Sequence, residues 1–278
     1  SNQLTSLNVS NNTALTYLHC GSNQLTALDV SNNTALTTLQ CAQNSLTSLD
    51  VSNNTALTDL NCFSNQLTAL DVSKNTALLS LGCSSNQLTS LDVNQNTALN
   101  YLDIEANALT SLDVNQNTAL NYLDIDANAL TSLDVSSNTA LTFLECADNQ
   151  LTTLDLSLNV ALSEFYCENN QLTSLDFRNG QNTLVVDFST TGNPDLTCIN
   201  VDDAAYSTAN WTDVDAQTSF NEDCSSVVGI KQYTSSKTLI KTLNIMGRET
   251  TFKPNTLLIN LYDDGSVEKA FTKGVLNN

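Results

Sequence analysis

Residues 25–44 read LTALDVSNNTALTTLQCAQN, and this stretch recurs with small changes every 21 residues. The position of Leu25 holds leucine in every copy, and so does the position three residues later. The first of these two columns consists of Leu4, Leu25, Leu46, Leu67, Leu88, Leu109, Leu130, Leu151 and Leu172. Self-similarity at a fixed period is the mark of stacked repeats, so we predict a solenoid of nine coils over residues 1–188.

Each repeat contains two apolar pairs at alternating positions, such as Leu18 with Cys20 and Leu28 with Val30. This period predicts short strands with one buried face, and no repeat holds a long stretch with helical periodicity. We therefore predict a mainly-β solenoid with strands on both sides of each coil and little helix. Since the chain has only 8 Gly and 2 Pro, asparagine is expected to build the turns. The columns that contain Asn23 and Asn33 should form two ladders that hydrogen bond the backbone.

One repeat carries the pattern L-x-x-L-x-C-x-x-N-x-L, which begins at Leu15 and ends at Leu25. This pattern resembles the leucine-rich-repeat signature, with cysteine in the third apolar slot. The second half of the unit nearly repeats it, so the unit is similar to the bacterial 21-residue type with two nested half-repeats. The resemblance implies that the variable strand face is the ligand surface.

Composition excludes several classes of function. A formal net charge of −20 argues against nucleic acid, because a polyanion needs a basic surface. No apolar run approaches the roughly 18 residues that a membrane helix needs. His19 is the only histidine, and no glycine-rich phosphate loop is present. We therefore expect neither an enzyme nor a cofactor, with calcium left as an open possibility.

Six of the eight cysteines share one position of the repeat: Cys20, Cys41, Cys62, Cys83, Cys146 and Cys167. Ile104 and Ile125 occupy that position in the two intervening repeats, so it is predicted to be a buried apolar slot. Zinc is the alternative, but parallel side chains in a stacked column lack a tetrahedral arrangement.

Cys198 and Cys224 lie outside this register and flank a segment that contains Trp211. Terminal coils of solenoids need a cap that covers the exposed end of the core. We predict that residues 189–224 form this cap, that a Cys198–Cys224 disulfide closes it, and that Trp211 is its apolar plug.

The outward positions of the strand that contains Leu18 vary most between repeats. Repeats five to eight should present an aromatic column beside an acidic one and an acidic flank. The predicted ligand-binding residues are Tyr101, Asp103, Glu105, Tyr122, Asp124, Asp126, Phe143, Glu145, Tyr166 and Glu168. Aromatic rings beside charge suit a protein or a glycan at the cell surface. The alternative is an architectural acidic spacer or matrix protein without a specific ligand, because repeats five and six are nearly identical and one duplication could have copied the pattern.

A second acidic column lies on the other half of the repeat: Asp29, Asp50, Asp71, Asp92, Asp113, Asp134, Asp155 and Asp176. Neighbouring carboxylates repel each other, so the column needs either a cation or hydrogen bonds from adjacent polar groups. Asp92, Asp113 and Asp134 are the calcium candidates. The hydrogen-bonded ladder is the favoured interpretation.

Composition changes in the tail, residues 225–278. Seven basic and four acidic residues lie there, against two basic and 25 acidic residues before it. The alternating segments 237–251 (KTLIKTLNIMGRETT) and 255–271 (NTLLINLYDDGSVEKAF) predict β-strands, with a tight turn at Asp264 and Gly265. Within them lie Leu243–Glu249 (LNIMGRE) and Leu261–Phe271 (LYDDGSVEKAF). Together they resemble the C-terminal sorting domain of the Bacteroidota type IX secretion system. This resemblance implies a protein that is secreted or held at the outer-membrane surface, with the secretion machinery as a partner. The alternative is a small β module that finishes the solenoid.

Overall fold

A computed structural model of the protein describes residues 2–226, 239–244, 249–250, 256–262 and 267–272. The chain divides into two compact units, Ser1–Ser226 and Val227–Asn278. The strands of the first unit are β1 (Tyr17–His19), β2 (Thr38–Gln40), β3 (Asp59–Asn61), β4 (Ser80–Gly82), β5 (Tyr101–Asp103), β6 (Tyr122–Asp124), β7 (Phe143–Glu145), β8 (Thr153–Asp155), β9 (Glu164–Tyr166), β10 (Ser174–Phe177), β11 (Asp187–Ser189), β12 (Cys198–Val201) and β13 (Ser219–Asn221).

One side of the solenoid is a sheet of nine parallel strands in the order β1-β2-β3-β4-β5-β6-β7-β9-β11. Equivalent residues of successive repeats pair directly, as Leu81 pairs with Leu102 and Leu102 with Leu123. These central side chains are buried in the core, and the residues on either side of them point outward. The predicted mainly-β leucine-rich-repeat solenoid with little helix is confirmed.

The opposite side is a regular sheet only near the C-terminal end, where four parallel strands follow the order β13-β12-β10-β8. In earlier coils Leu28 and Val30 are buried as predicted, but no strand forms around them. A strand needs consecutive ladder bonds between neighbours. On this side of the early coils, backbone bonds such as Gln24 N–H to Leu4 O (2.9 Å) do not form such a consecutive ladder.

Parallel stacking continues past residue 188, where the recognisable repeat ends. Leu175 pairs with Ile199, and Ile199 pairs with Phe220. The first of these intervals is longer than the repeat because an irregular stretch with a short 3-10 helix, Asn182–Leu184, lies within it. The predicted cap region is therefore partly built from further coils whose period is broken by inserted residues.

The end of the core is closed by aromatic residues and a short helix, α1 (Ala204–Asn210). Trp211 follows this helix, is 4% exposed, and stacks on Phe188 at a ring-centroid distance of 4.3 Å. It also meets the ring of Phe177 at 5.2 Å. A disulfide joins Cys198 to Cys224, so the expected staple and plug are both present.

Two asparagine columns bind neighbouring coils together, as the shortage of Gly and Pro predicts. In the first, Asn44 Nδ2 donates to Cys41 O (3.0 Å) while its Oδ1 accepts from Leu25 N (2.9 Å). In the second, Asn54 Nδ2 donates to the carbonyl oxygens of Val30 (3.1 Å) and Asn33 (2.9 Å).

The residue before each first-column asparagine has a positive φ, between 46° and 55°, although none of them is glycine. These residues are Ser22, Gln43, Ser64, Ser85, Ala106, Ala127, Asp148 and Asn169. The sequence pattern did not reveal this left-handed position.

The six repeat cysteines are free and buried, and Ile104 and Ile125 are buried in the same core cluster. Burial raises the pKa of the thiols of Cys41 and Cys62, since the core disfavours a thiolate. The column is therefore part of the apolar core.

The described residues of the second unit form three antiparallel strands: β14 (Leu239–Asn244), β15 (Thr256–Tyr262) and β16 (Val267–Thr272). Strands thus form within both segments in which they were predicted. Thr242 Oγ1 hydrogen bonds Asn260 Oδ1 at 3.0 Å across the first pair. The predicted turn at Asp264 and Gly265 lies outside the described residues. Nowhere in the described part of the chain is there a helix long and apolar enough to cross a membrane.

Candidate functional site

The candidate site is the outward surface of β5, β6, β7 and β9. Each of these strands has a buried central residue and two outward neighbours, one before it and one after it. Because the strands are parallel and in register, equivalent outward residues form columns across the sheet. Residues that are 21 positions apart in these repeats therefore lie next to each other on the surface.

The column before the central residue is an aromatic stack. The rings of Tyr101 and Tyr122 lie 4.4 Å apart between centroids, at an interplanar angle of 12°. The rings of Tyr122 and Phe143 lie 4.3 Å apart at 6°. Tyr166 continues the group from the neighbouring column, with its ring 5.8 Å from that of Phe143 and tilted by 48°. The four predicted aromatic residues are thus brought together by the structure.

The column after the central residue is acidic and partly withdrawn from water. Asp124 is only 8% exposed, and its Oδ1 accepts the backbone N–H of Asp126 at 3.1 Å. Asp103 accepts the backbone N–H of Glu105 at 3.3 Å and the hydroxyl of Ser84 at 3.2 Å. These bonds fix the direction of both carboxylates.

The pKa of Asp124 is raised to about 7, with burial as the largest cause and the carboxylates of Glu145 and Asp103 contributing in the same direction. The pKa values of Asp103, Glu105 and Glu145 are also raised, with burial as the largest cause in each case. The same holds for the pKa of Asp126. Ionisation of this face is therefore costly in the unliganded protein.

Basic residues do not compensate this charge. Within residues 2–226 the only basic side chains other than His19 are Lys74 and Arg178. Arg178 forms an ion pair with Asp176 at 2.5 Å. The charge of Lys74 lowers the pKa of Asp71. Asp176 and Asp71 both belong to the other acidic column. These two basic side chains of residues 2–226 are thus associated with the other acidic column and not with the candidate site.

Three of these carboxylates could hold a cation. Asp103, Glu105 and Asp124 each offer an oxygen, and these oxygens lie within 4.8 Å of one another. Carboxylate oxygens are the ligands that Ca²⁺ prefers. Sequence reasoning did not group these three residues as a cation site, because they come from two repeats and from different outward positions.

The second acidic column is a hydrogen-bonded ladder. Asp92 Oδ1 accepts Asn94 N–H at 2.9 Å, and the equivalent bonds of Asp113 and Asp134 are each 3.0 Å. The bonds from Ser136 lower the pKa of Asp134. Each carboxylate thus closes a turn through a residue two positions later.

Two further features of the surface escaped the sequence analysis. In β4 the residues before and after the central Leu81 are small, the half-buried Ser80 and the buried Gly82, which interrupts the columns just before the aromatic stack. A cleft of about 370 Å³ lies near the cap, between the segment that contains Val186 and helix α1, with Trp211 in its wall. The cleft could not be predicted because the 21-residue period is broken in that part of the chain. The gap in β4 could have been predicted by comparing side-chain volumes between repeats.

The chain matches no protein-family model and no curated protein. Among solved structures it is similar to the functional domain of InlJ from Listeria monocytogenes, which includes a cysteine ladder. The two are 39% identical, with a TM-score of 0.59, over 72% of this chain and 53% of that one. A leucine-rich-repeat protein from Leptospira interrogans is 22% identical, with a TM-score of 0.63, over 77% of this chain and 63% of that one.

A third similar structure is the leucine-rich-repeat ectodomain of the plant membrane receptor kinase GASSHO1/SCHENGEN3 from Arabidopsis thaliana, in complex with Casparian strip integrity factor 2. It is 21% identical, with a TM-score of 0.58, over 68% of this chain and 24% of that one. The chain spans less than two thirds of each of these three proteins. The shared architecture is the leucine-rich-repeat solenoid.

Proposed function

We propose that the chain is an exported recognition or adhesion protein that binds a protein or a glycan through the face of β5, β6, β7 and β9. The observation that carries this proposal is the stack of Tyr101, Tyr122 and Phe143 beside carboxylates that no basic residue of the first unit neutralises. Exposed aromatic rings next to charge are typical of binding surfaces. The proposed contact residues are Tyr101, Asp103, Glu105, Tyr122, Asp124, Asp126, Phe143, Glu145, Tyr166 and Glu168.

The fold supports this proposal. A stacked solenoid offers one extended surface to a ligand, and the similar Arabidopsis ectodomain was solved with a bound protein factor. The structure most identical in sequence among the three compared is itself a functional domain of a bacterial protein. A binding role thus agrees with the architecture and with the surface chemistry.

Export is part of the same proposal. The Cys198–Cys224 disulfide fits an oxidising compartment, and residues 225–278 resemble a type IX sorting domain. We expect a chain that lacks residues 225–278 to stay inside a Bacteroidota host while the full chain reaches the cell surface or the medium. Equal export of both forms, measured by immunoblotting of cell fractions, would remove the sorting role.

The binding face is tested with the full chain on arrays of glycans and surface proteins, in calcium and in chelator. The variant Y101A/Y122A/F143A should lose the binding that the parent shows. Tyr17→Ala is the matched control, since Tyr17 occupies the equivalent position in β1 and is 56% exposed. A triple variant that binds as well as the parent would place the ligand elsewhere. Binding that depends on calcium, and that falls when Asp92, Asp113 and Asp134 are replaced by Asn, would give the second acidic column a functional role.

A second candidate is an architectural acidic spacer without a specific ligand. The near identity of repeats five and six favours it, because both rings and both acids there could be copies from one duplication. Failure of the parent chain to bind under any array condition would support this candidate against the recognition role.

A further inference from the structure

The notch in β4 has well-defined walls. Ser80 pairs in register with Asp59 of β3 and with Tyr101 of β5, and Gly82 pairs with Asn61 and Asp103. Adjacent strands are about 4.8 Å apart, so the backbones of β3 and β5 on either side of β4 are about 10 Å apart. The small side chain of Ser80 forms its floor, whereas Gly82 on the other side of Leu81 is buried. A Cβ added at Gly82 would lie 3.6 Å from Asn61 Cγ, so the Asn61 side chain borders Gly82.

One wall of the notch is a ring face at the end of the aromatic stack. Tyr101 stacks on Tyr122 on one side. Its in-register neighbour on the other side is Ser80, which has no ring to cover it. Leu79, the residue before Ser80, is 43% exposed and adds apolar surface to the same coil. A flat group can therefore lie against Tyr101 above Ser80.

The opposite wall is a carboxylate. Asp59 Oδ1 accepts from Gln40 Nε2 of β2 at 2.6 Å, so one oxygen of this carboxylate is already engaged on the side away from the notch. Asp103 lies diagonally across the floor, at the position after the central residue of β5. Neither of the two basic residues among residues 2–226, Lys74 and Arg178, pairs with these acids. The notch thus combines a ring face with uncompensated negative charge.

We propose that the notch binds an arginine side chain of a basic protein segment, with the guanidinium stacked on Tyr101 and donating to the carboxylate of Asp59. This inference rests on the proposed function, and it assigns that face a ligand class and an anchor. A guanidinium is planar, stacks on aromatic faces and donates several N–H groups to carboxylates, whereas an ammonium group is a compact point charge. Further basic residues of the same segment would meet the carboxylates of Asp103, Asp124 and Glu145 along the face.

The test fills the notch without changing any charge. In the full-length variant Ser80→Tyr, the new ring extends the stack and occupies the guanidinium position. The fold should tolerate it, because Tyr101 and Tyr122 hold the same register in the following coils. Ser48→Tyr is the matched control, because it makes the same substitution at an exposed position on the other side of the coil. The probe is a hexa-arginine peptide, and affinity is measured by calorimetry at about 0.15 M salt, where exposed charges are largely screened.

We expect Ser80→Tyr to weaken hexa-arginine binding by about tenfold and Ser48→Tyr to leave it unchanged. Asp59→Asn should weaken binding as well, whereas Asp50→Asn, which removes the same charge from the other column, should not. A hexa-lysine peptide should bind more weakly than hexa-arginine. Equal affinity of the parent and Ser80→Tyr, or equal losses in Asp59→Asn and Asp50→Asn, would overturn the inference in favour of unspecific attraction to an acidic chain.

These outcomes separate the inference from the proposed function. If Y101A/Y122A/F143A loses its array ligand while Ser80→Tyr binds hexa-arginine like the parent, the face is functional but the arginine site is wrong. If a neutral oligosaccharide binds the face and hexa-arginine does not, the ligand is a glycan and the inference fails while the recognition role stands.

Discussion

Replacing one buried ladder asparagine tests how neighbouring coils are held together. Asn54 is fully buried, and its Nδ2 donates to the carbonyl oxygens of Val30 (3.1 Å) and Asn33 (2.9 Å). Asn54→Ala removes two hydrogen bonds, each worth about 1 kcal/mol net, and leaves two buried carbonyl groups without these donors. Asn54 Oδ1 is itself buried without a hydrogen-bond partner, so its removal offsets part of the loss. We expect the free energy of unfolding to fall by about 2 kcal/mol.

The adjacent residue provides the control. Asn53 is exposed, and its Nδ2 makes only a 3.4 Å contact with Ser31 O. Asn53→Ala should therefore change the free energy of unfolding by less than about 0.5 kcal/mol. Both variants are compared with the parent by urea titration followed by circular dichroism. Equal midpoints for Asn53→Ala and Asn54→Ala would refute the reasoning that the buried column, and not asparagine as such, binds the coils.

Two further predictions concern backbone strain and buried charge. Ala106 and Ala127 adopt φ values of 52° and 50°, and the chain has Gly192 at the equivalent turn of a later coil. Because glycine adopts a positive φ without strain, Ala106→Gly and Ala127→Gly should each raise the free energy of unfolding by about 0.5 kcal/mol. Urea titration measures this change, and a lower midpoint than that of the parent would contradict it. The pKa of Asp124 is raised to about 7 by burial, so as the pH rises from about 4 the unfolded chain loses this proton first and the free energy of unfolding falls up to about pH 7. Asp124→Asn should thus be more stable than the parent at about pH 8 and equal to it near pH 4, and a constant difference across this range would rule out titration of Asp124 as the cause.

Much of the first unit could be predicted from the sequence because the repeat fixes register as well as fold. Once Leu102 and Leu123 are known to be equivalent, the neighbours on either side of each must stack, and the rings of Tyr101 and Tyr122 come within 4.4 Å. The burial of the cysteine column follows in the same way, since Ile104 shares its slot. The alignment of the repeats with one another thus predicts which residues are neighbours in the structure.

Other features were beyond the sequence because they depend on backbone geometry or on broken periodicity. The positive φ at Ala106 carries no residue-type signal, since it is not a glycine. The coils after residue 188 were missed because inserted residues between Leu175 and Ile199 break the 21-residue interval. The raised pKa of Asp124 depends on how deeply neighbouring coils bury its carboxylate, which the repeat pattern does not specify.

The buried thiols also set an order of events for oxidation of the chain. Disulfide exchange needs a thiol that an oxidant can reach, and the folded core buries all six free cysteines. Before the coils close, however, all eight cysteines compete for partners in an oxidising compartment. In such a compartment, correct pairing of Cys198 with Cys224 therefore requires the coils to stack faster than the thiols are oxidised, and the rate of coil assembly decides how much of the chain is correctly cross-linked.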